Sequence, residues 1–269
     1  MLLPAPTYLP SRRANTIQVM KMAQAFTRLG QEVHLTVPNP QRRPPVDWEV
    51  LARHYGVQER FSITWLPAHP RLRSYDYAWQ VLRLARRENV PWIFTRHPQA
   101  AAFASLQGIP TVLEVHDLPQ GRVGPLWFRL FLRGRGARAL VTITRALRDA
   151  LPLEGWPHPV LVLPDGVDLE RYAGLPAPEA ARATLGLPPR FTAGYTGHLY
   201  AGRGVELLLS LAARLPEMTF LLAGGNPEDV ARLKAQAAGL DNLIFTGFIP
   251  NAELPRYQAA CDVLLMPYQ

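Results

Sequence analysis

Cysteine is nearly absent from the 269-residue sequence. Cys261 is the single one, so no internal disulfide can form. In its Ala-Ala-Cys-Asp-Val setting it reads as small core filler rather than a nucleophile. Lysine is almost as scarce, so nearly all of the 29 cationic side chains are arginines. No apolar stretch is long enough to span a bilayer. Residues 1–10 carry three prolines and lack the basic start and apolar run of a secretory signal. No internal repeat, low-complexity tract or disordered tail is evident. These absences exclude a disulfide-stapled module, an integral helical membrane protein and a solenoid, and they point to the cytosol.

What is present fits a globular α/β protein. Apolar residues make up 48% of the chain and charged residues 19%, and the length suggests two domains. The net charge of +8 conceals an asymmetry. Residues 1–150 hold 21 Lys+Arg against 9 Asp+Glu, a balance of +12, whereas residues 151–269 hold 8 against 12, or −4. A basic first half favours anionic partners, of which a membrane surface bearing acidic headgroups is one. The competing reading is a solvated surface in an arginine-preferring organism. No nucleic-acid motif accompanies the charge, so nucleic acid is not an expected partner.

Apolar runs alternate with amphipathic ones along the whole chain, the pattern of parallel α/β sheets. Strands are predicted over 2–5, 33–37, 62–66, 92–95, 111–115 and 139–143, with helices over 15–29, 46–55, 75–87, 99–106, 126–133 and 145–151. Gly155-Trp-Pro-His-Pro marks a break. A strand over 160–163 follows it, and the alternation restarts with strands 191–195, 219–223, 242–245 and 263–266 separated by three helices. Two domains are therefore expected, 1–155 and 156–269.

Residues 194–204, Gly-Tyr-Thr-Gly-His-Leu-Tyr-Ala-Gly-Arg-Gly, carry the strongest chemical signal. An apolar strand runs into a glycine-rich turn that ends in a cation opening a helix. Glycines let backbone N–H groups approach an anion, a helix N-terminus adds positive potential, and a guanidinium grips phosphate through paired donors. The plain alternative is an ordinary strand-to-helix loop. In open parallel sheets ligands bind beyond the strands' C-terminal ends. By that rule Ser11-Arg-Arg-Ala-Asn-Thr, Glu114-Val-His-Asp, Gly224-Gly225-Asn226 and Gly247-Phe-Ile-Pro join the glycine turn as candidate site segments.

Asn15 or Thr16 is suited to cap the first helix, and Arg12 and Arg13 to meet an anion. A solvated arginine pair is the plain alternative. His116, at a strand's end, would point an imidazole into the crevice, where a satisfied loop histidine is the plain alternative. A metal at His116-Asp117 is not expected, because neighbours on an extended chain point apart and no third ligand is evident. Asp165 reads as a turn former.

Five segments together resemble glycosyltransferase family 4 of the GT-B clan. They are Thr142-Ile-Thr-Arg-Ala-Leu, Leu163-Pro-Asp-Gly-Val-Asp, the glycine turn with Arg203-Gly-Val-Glu-Leu-Leu, Leu221-Leu-Ala-Gly-Gly, and Ile244-Phe-Thr-Gly-Phe with Asp262-Val-Leu-Leu-Met-Pro. The resemblance implies two Rossmann-like doubly wound domains facing a cleft. Residues 1–155 would take the acceptor, with Arg12, Arg13 and Asn15 in a loop that meets it or the donor phosphates, and residues 156–269 the donor nucleotide.

The family's Arg-x4-Lys pair, which neutralises the donor diphosphate, falls on His198 and Arg203, so the first position departs from the pattern. Gly197, Gly204 and Gly225 would line the donor site, and Gly247 and Phe248 match the segment that meets the nucleobase. His116 matches a histidine beside the donor sugar.

The implied activity is sugar transfer from a nucleoside diphosphate sugar to a hydroxyl acceptor (glycan, lipid-linked or small molecule). It would proceed with retention of configuration and without metal or cofactor, in the cytoplasm or at the inner membrane face. Family members continue past 263–266 into a Glu-x7-Glu segment, so the sequence is expected to be truncated and inactive by itself. A noncatalytic sugar-nucleotide or anionic-surface module, and a GT-B-type epimerase or phosphorylase, are the alternatives.

Overall fold

A computed structural model describes residues 1–72 and 74–267. Tyr268 and Gln269, at the end of the segment where further binding residues were anticipated, lie outside the described residues. The chain divides into two units, Met1–Val167 and Asp168–Gln269.

The first unit holds a seven-stranded sheet of β1 (Leu2–Pro4), β2 (His34–Asn39), β3 (Ser62–Pro67), β4 (Ile93–Thr95), β5 (Thr111–Val115), β6 (Ala137–Thr142) and β7 (Val160–Val162). Its order is β3-β2-β1-β4-β5-β6-β7, and every pairing is parallel. The connecting helices are α1 (Ala14–Arg28), α2 (Trp48–Tyr55), α3 (Tyr75–Arg87), α4 (Pro98–Leu106), α5 (Gly124–Arg133) and α6 (Arg145–Ala150). Helix α3 shows how the sequence folds locally. Tyr77, Ala78, Val81, Leu82, Leu84 and Ala85 recur at helical spacing and are buried, while its arginines face outward. The Tyr77 hydroxyl ties the helix to the sheet, donating to Thr36 O at 2.7 Å and accepting from Ala5 N at 3.1 Å.

The first unit extends past the expected boundary at 155. The strand after the Gly-Trp-Pro-His-Pro break does not open a new sheet. It pairs with β6 through Leu140↔Val160 and Thr142↔Val162, at the edge of the first one.

The second unit holds α7 (Pro178–Leu185) and a four-stranded parallel sheet of β8 (Thr192–Gly197), β9 (Thr219–Gly224), β10 (Leu243–Gly247) and β11 (Val263–Leu264), in the order β10-β9-β8-β11. Helices α8 (Val205–Arg214), α9 (Pro227–Gln236) and α10 (Leu254–Ala259) link the strands. The continuous apolar run Phe220–Ala223 is buried, as a parallel strand covered on both faces requires. Helix α7 was not anticipated. Arg182 on it is buried, donating to Asp262 Oδ2 at 2.7 Å and to Ala260 O at 3.0 Å. Among the described residues, no helix is long and apolar enough to cross a membrane.

Candidate functional site

In a parallel sheet the crevice opens where the strand order reverses. The second sheet reverses at β8, which lies between β9 and β11, and the glycine turn leaves β8 at that point. Gly197 ends the strand and Gly204, in the left-handed conformation, precedes α8 without any side-chain cap. Among the described residues, no side chain therefore takes up the N–H groups of Val205 and Glu206, while Leu207 N donates to Gly204 O at 3.0 Å. Arg203 stands beside them, half-exposed, with Nε donating to the Tyr200 hydroxyl at 2.7 Å and its guanidinium 4.9 Å from the Tyr200 ring centroid.

The His198 ring lies 5.8 Å from the same ring at 34°, so His198, Tyr200 and Arg203 form one cluster within the turn. Beside it, β8 and β9 end with their backbones in close approach. A Cβ on Gly224, whose φ is +127°, would sit 2.1 Å from Gly197 O. Gly225 follows, packed against Leu199 of the same turn.

One carboxylate, Glu206 in the first turn of α8, works against an anion there. It is countered by Arg232 of α9, whose Nη1 donates to it at 3.1 Å while Nη2 donates to Leu199 O at 2.8 Å. Nothing in the spacing of Arg232 announced this part. Gly247 ends β10 and Phe248 follows it, and β10 is separated from β8 by β9. The fold places them on the same rim without joining them to the His198–Arg203 cluster.

The first sheet reverses between β1 and β4, and one side chain bridges that point. Arg96, immediately after β4, donates through Nη1 to Asn15 Oδ1 of α1 at 3.2 Å. Its Nε and Nη2 bond the two oxygens of Glu114 on β5, each at 2.8 Å. The same Nη2 lies 3.7 Å from Asp165 Oδ1.

His116 completes the group, with Nε2 2.9 Å from Glu114 Oε1. Burial pushes the Glu114 carboxyl up, but hydrogen bonds from His116 and Arg96, with the charges behind them, outweigh it and hold the group below the usual carboxylate range.

Several expectations are corrected here. Asn15 does not cap α1, because its side chain is taken by Arg96. Thr16 does not cap it either. It is buried and hydrogen-bonded to the Thr7 hydroxyl. Asp165 is more than a turn former, since it joins the Arg96 group.

A set of three potential metal ligands does surround His116, but it consists of Glu114, His116 and Asp165 rather than Asp117. The Arg96 guanidinium already supplies the positive charge that both carboxylates face, so the donor set is that of an ion-pair network rather than a cation cage. Arg12 and Arg13 are exposed ahead of α1. The loop that carries them is anchored by α2, where the Tyr55 hydroxyl accepts from Ser11 N at 2.7 Å. Burial lowers the His54 pKa, the Ser11 carbonyl opposes this, and the Arg12 charge adds to the lowering.

Arg96 and Glu114 are separated by 18 residues and meet because β4 and β5 pair side by side. The one sequence signal for them was position, since each lies at the C-terminal end of a buried strand.

Comparison with known proteins gives the family and the fold. Residues 16–171 match the model of Glycosyltransferase Family 4, and residues 190–269 that of Glycosyl transferases group 1. The 2-deoxystreptamine glucosyltransferase of Streptomyces kanamyceticus is 35% identical over 299 residues, an alignment covering 93% of this chain and 74% of that protein. A GDP-mannose-dependent alpha-mannosyltransferase of Mycolicibacterium smegmatis is 27% identical over 290 residues, covering 98% of this chain and 72% of the relative.

Among solved structures, sucrose-phosphate synthase from Thermosynechococcus elongatus superposes with a TM-score of 0.71 at 17% identity, over 99% of this chain and 75% of the other. Anabaena HepE in complex with UDP-glucose superposes with a TM-score of 0.67 at 17% identity, over 98% of this chain and 73% of that one. Both share the GT-B arrangement of parallel α/β sheets. The chain belongs to Glycosyltransferase Family 4.

Proposed function

We propose that the protein transfers a sugar from a nucleoside diphosphate sugar to a hydroxyl acceptor, with retention of configuration and without need of a metal. The observation that carries this reading is Arg203, held by Tyr200 at the uncapped start of α8, where the second sheet reverses its strand order. As the bond between sugar and diphosphate breaks, negative charge grows on the leaving group. Fixed donors in that turn stabilise it without reorganising: the Arg203 guanidinium, His198 and the first N–H groups of α8. The names of the relatives support the reading, since they specify glucosyl transfer and dependence on GDP-mannose.

In the first unit, His116 would hydrogen-bond a hydroxyl of the donor sugar, and the exposed Arg12–Arg13 loop would face the acceptor. Residues 1–150 carry a balance of +12 (21 Lys+Arg against 9 Asp+Glu), which favours a neutral or anionic acceptor, or one presented on an acidic membrane surface. The test is calorimetric titration with UDP, GDP and their sugars beside Arg203→Ala. Transfer is then assayed with glucose and mannose donors against 2-deoxystreptamine and inositol phosphates. Unchanged nucleotide affinity in the variant refutes the assignment.

A further inference from the structure

Among the described residues, Glu114 is the one carboxylate that is buried. An ionised carboxylate in such a place is costly unless its oxygens are fully engaged. Here they are. Oε2 takes Arg96 Nε, and Oε1 takes both Arg96 Nη2 and His116 Nε2. A merely structural ion pair would need only the two Arg96 bonds. The third is possible because residues two apart on an extended chain project to the same side, which puts the imidazole over the carboxylate. The Glu114 side chain is 2% exposed and that of His116 28%, so a fixed anion lies beneath a partly open ring.

We propose that Glu114 is a positioning residue for His116: its carboxylate, clamped by Arg96, fixes the imidazole in the Nε2–H tautomer and leaves Nδ1 as a bare hydrogen-bond acceptor. An ionised carboxylate can only accept, so the nitrogen facing it carries the proton. Whenever the imidazole is neutral it has one such proton, held at Nε2, and Nδ1 then offers a lone pair.

On the reading above, in which His116 meets the donor sugar, that lone pair accepts from a sugar O–H. The arrangement then selects donors that carry a hydroxyl at this position. A deoxy donor leaves the nitrogen unpaired and is disfavoured. Arg96 also holds Asn15, so the start of α1 and the ring orientation share one guanidinium.

The decisive measurement is a long-range nitrogen–proton NMR spectrum of the whole chain with labelled histidine, at alkaline pH where imidazoles are neutral. His116 is expected to show an unprotonated Nδ1 and a protonated Nε2, and Glu114→Gln to give a mixture of tautomers. An Nδ1–H ring or an averaged signal in the unaltered protein overturns the proposal, and this reading needs no variant to fold.

In a transfer assay of the intact enzyme Glu114→Gln is expected to lower kcat/KM about tenfold, the low end of the range for partners that orient metal-ligating imidazoles. In a His116→Ala background the same change adds no further loss. Losses that simply add up would mark Glu114 as structural support only and overturn the proposal. If the spectrum is as expected while His116→Ala transfers sugar normally, the positioning stands, and the assignment of His116 to the donor sugar falls.

Discussion

Arg203 and Tyr200 face each other within one turn, guanidinium nitrogen to phenol oxygen at 2.7 Å, so the cation at the start of α8 is held before any anion arrives. Preorganisation of this kind lowers the ordering cost of binding. Arg203→Ala is expected to weaken UDP or GDP binding by about 1.5–3 kcal/mol, the range for a hydrogen bond to a charged group. Tyr200→Phe keeps the ring and loses the hydroxyl. Calorimetry should show a smaller loss for it, about 0.5–1.5 kcal/mol.

Gly224 and Gly247 both adopt positive φ, +127° and +68°, but differ in surroundings. A Cβ at Gly224 meets Gly197 O at 2.1 Å, whereas at Gly247 nothing lies within 4 Å. Gly224→Ala should cost about 3 kcal/mol or more from strain and overpacking together, and lower nucleotide affinity at least tenfold. Gly247→Ala carries only the left-handed penalty of about 1–2 kcal/mol. Urea denaturation and calorimetry on the two variants check the contrast.

Asp262 accepts from Arg182 Nη1 and from Thr192 N, each at 2.7 Å, so it ties α7 to the start of β8. Asp262→Ala leaves a guanidinium whose side chain is 5% exposed with only the Ala260 carbonyl and the exposed Glu179 carboxylate, 3.6 Å away, and should cost about 3 kcal/mol. Combining Arg182→Met with Asp262→Asn removes the buried charge and keeps the Thr192 bond, so more than half of the loss should return. Thermal denaturation of the three proteins measures it.

Burial holds the His97 pKa down to about 4, against an ordinary value of 6.5. The folded chain therefore resists a proton that the unfolded chain takes up. The stability linked to this group is complete above pH 6.5 and declines as the pH falls toward 4, by about 3 kcal/mol in all. His54, also lowered, contributes with the same sign, so the comparison needed is between the native chain and a variant. His97 caps α4 by accepting from Ala100 N at 3.1 Å, a role that asparagine can fill. His97→Asn should flatten the decline in urea midpoint between pH 6.5 and 4.

The strand and helix order was legible because parallel strands buried on both faces leave continuous apolar runs, and each is flanked by an amphipathic helix. Thr111–Val115 and Tyr75–Arg87 were placed to the residue. The missed elements lacked that contrast. Pro178–Leu185 has a short apolar face, and its anchor Asp262 lies 80 residues away from Arg182. Val160–Val162 was seen as a strand, but sequence alone does not reveal which sheet edge a strand joins. Arg203 could be proposed from the sequence because glycine, cation and helix start are contiguous. Arg96 could not, because its partners Asn15 and Glu114 reach it through strand order.

The exclusively parallel pairing has an evolutionary corollary. Every strand-exit loop leaves a given sheet at one rim, and every return loop at the opposite rim. Peptides that recognise small molecules and peptides that merely turn the chain round are thus never the same peptides. Exchanging an exit loop such as residues 116–123, none of which is buried, leaves the hydrophobic interior as it is, whereas residues 198–204 carry Leu199 into the core of the second unit. Diversification of such a lobe proceeds along one margin, and the opposite margin keeps the record of common ancestry.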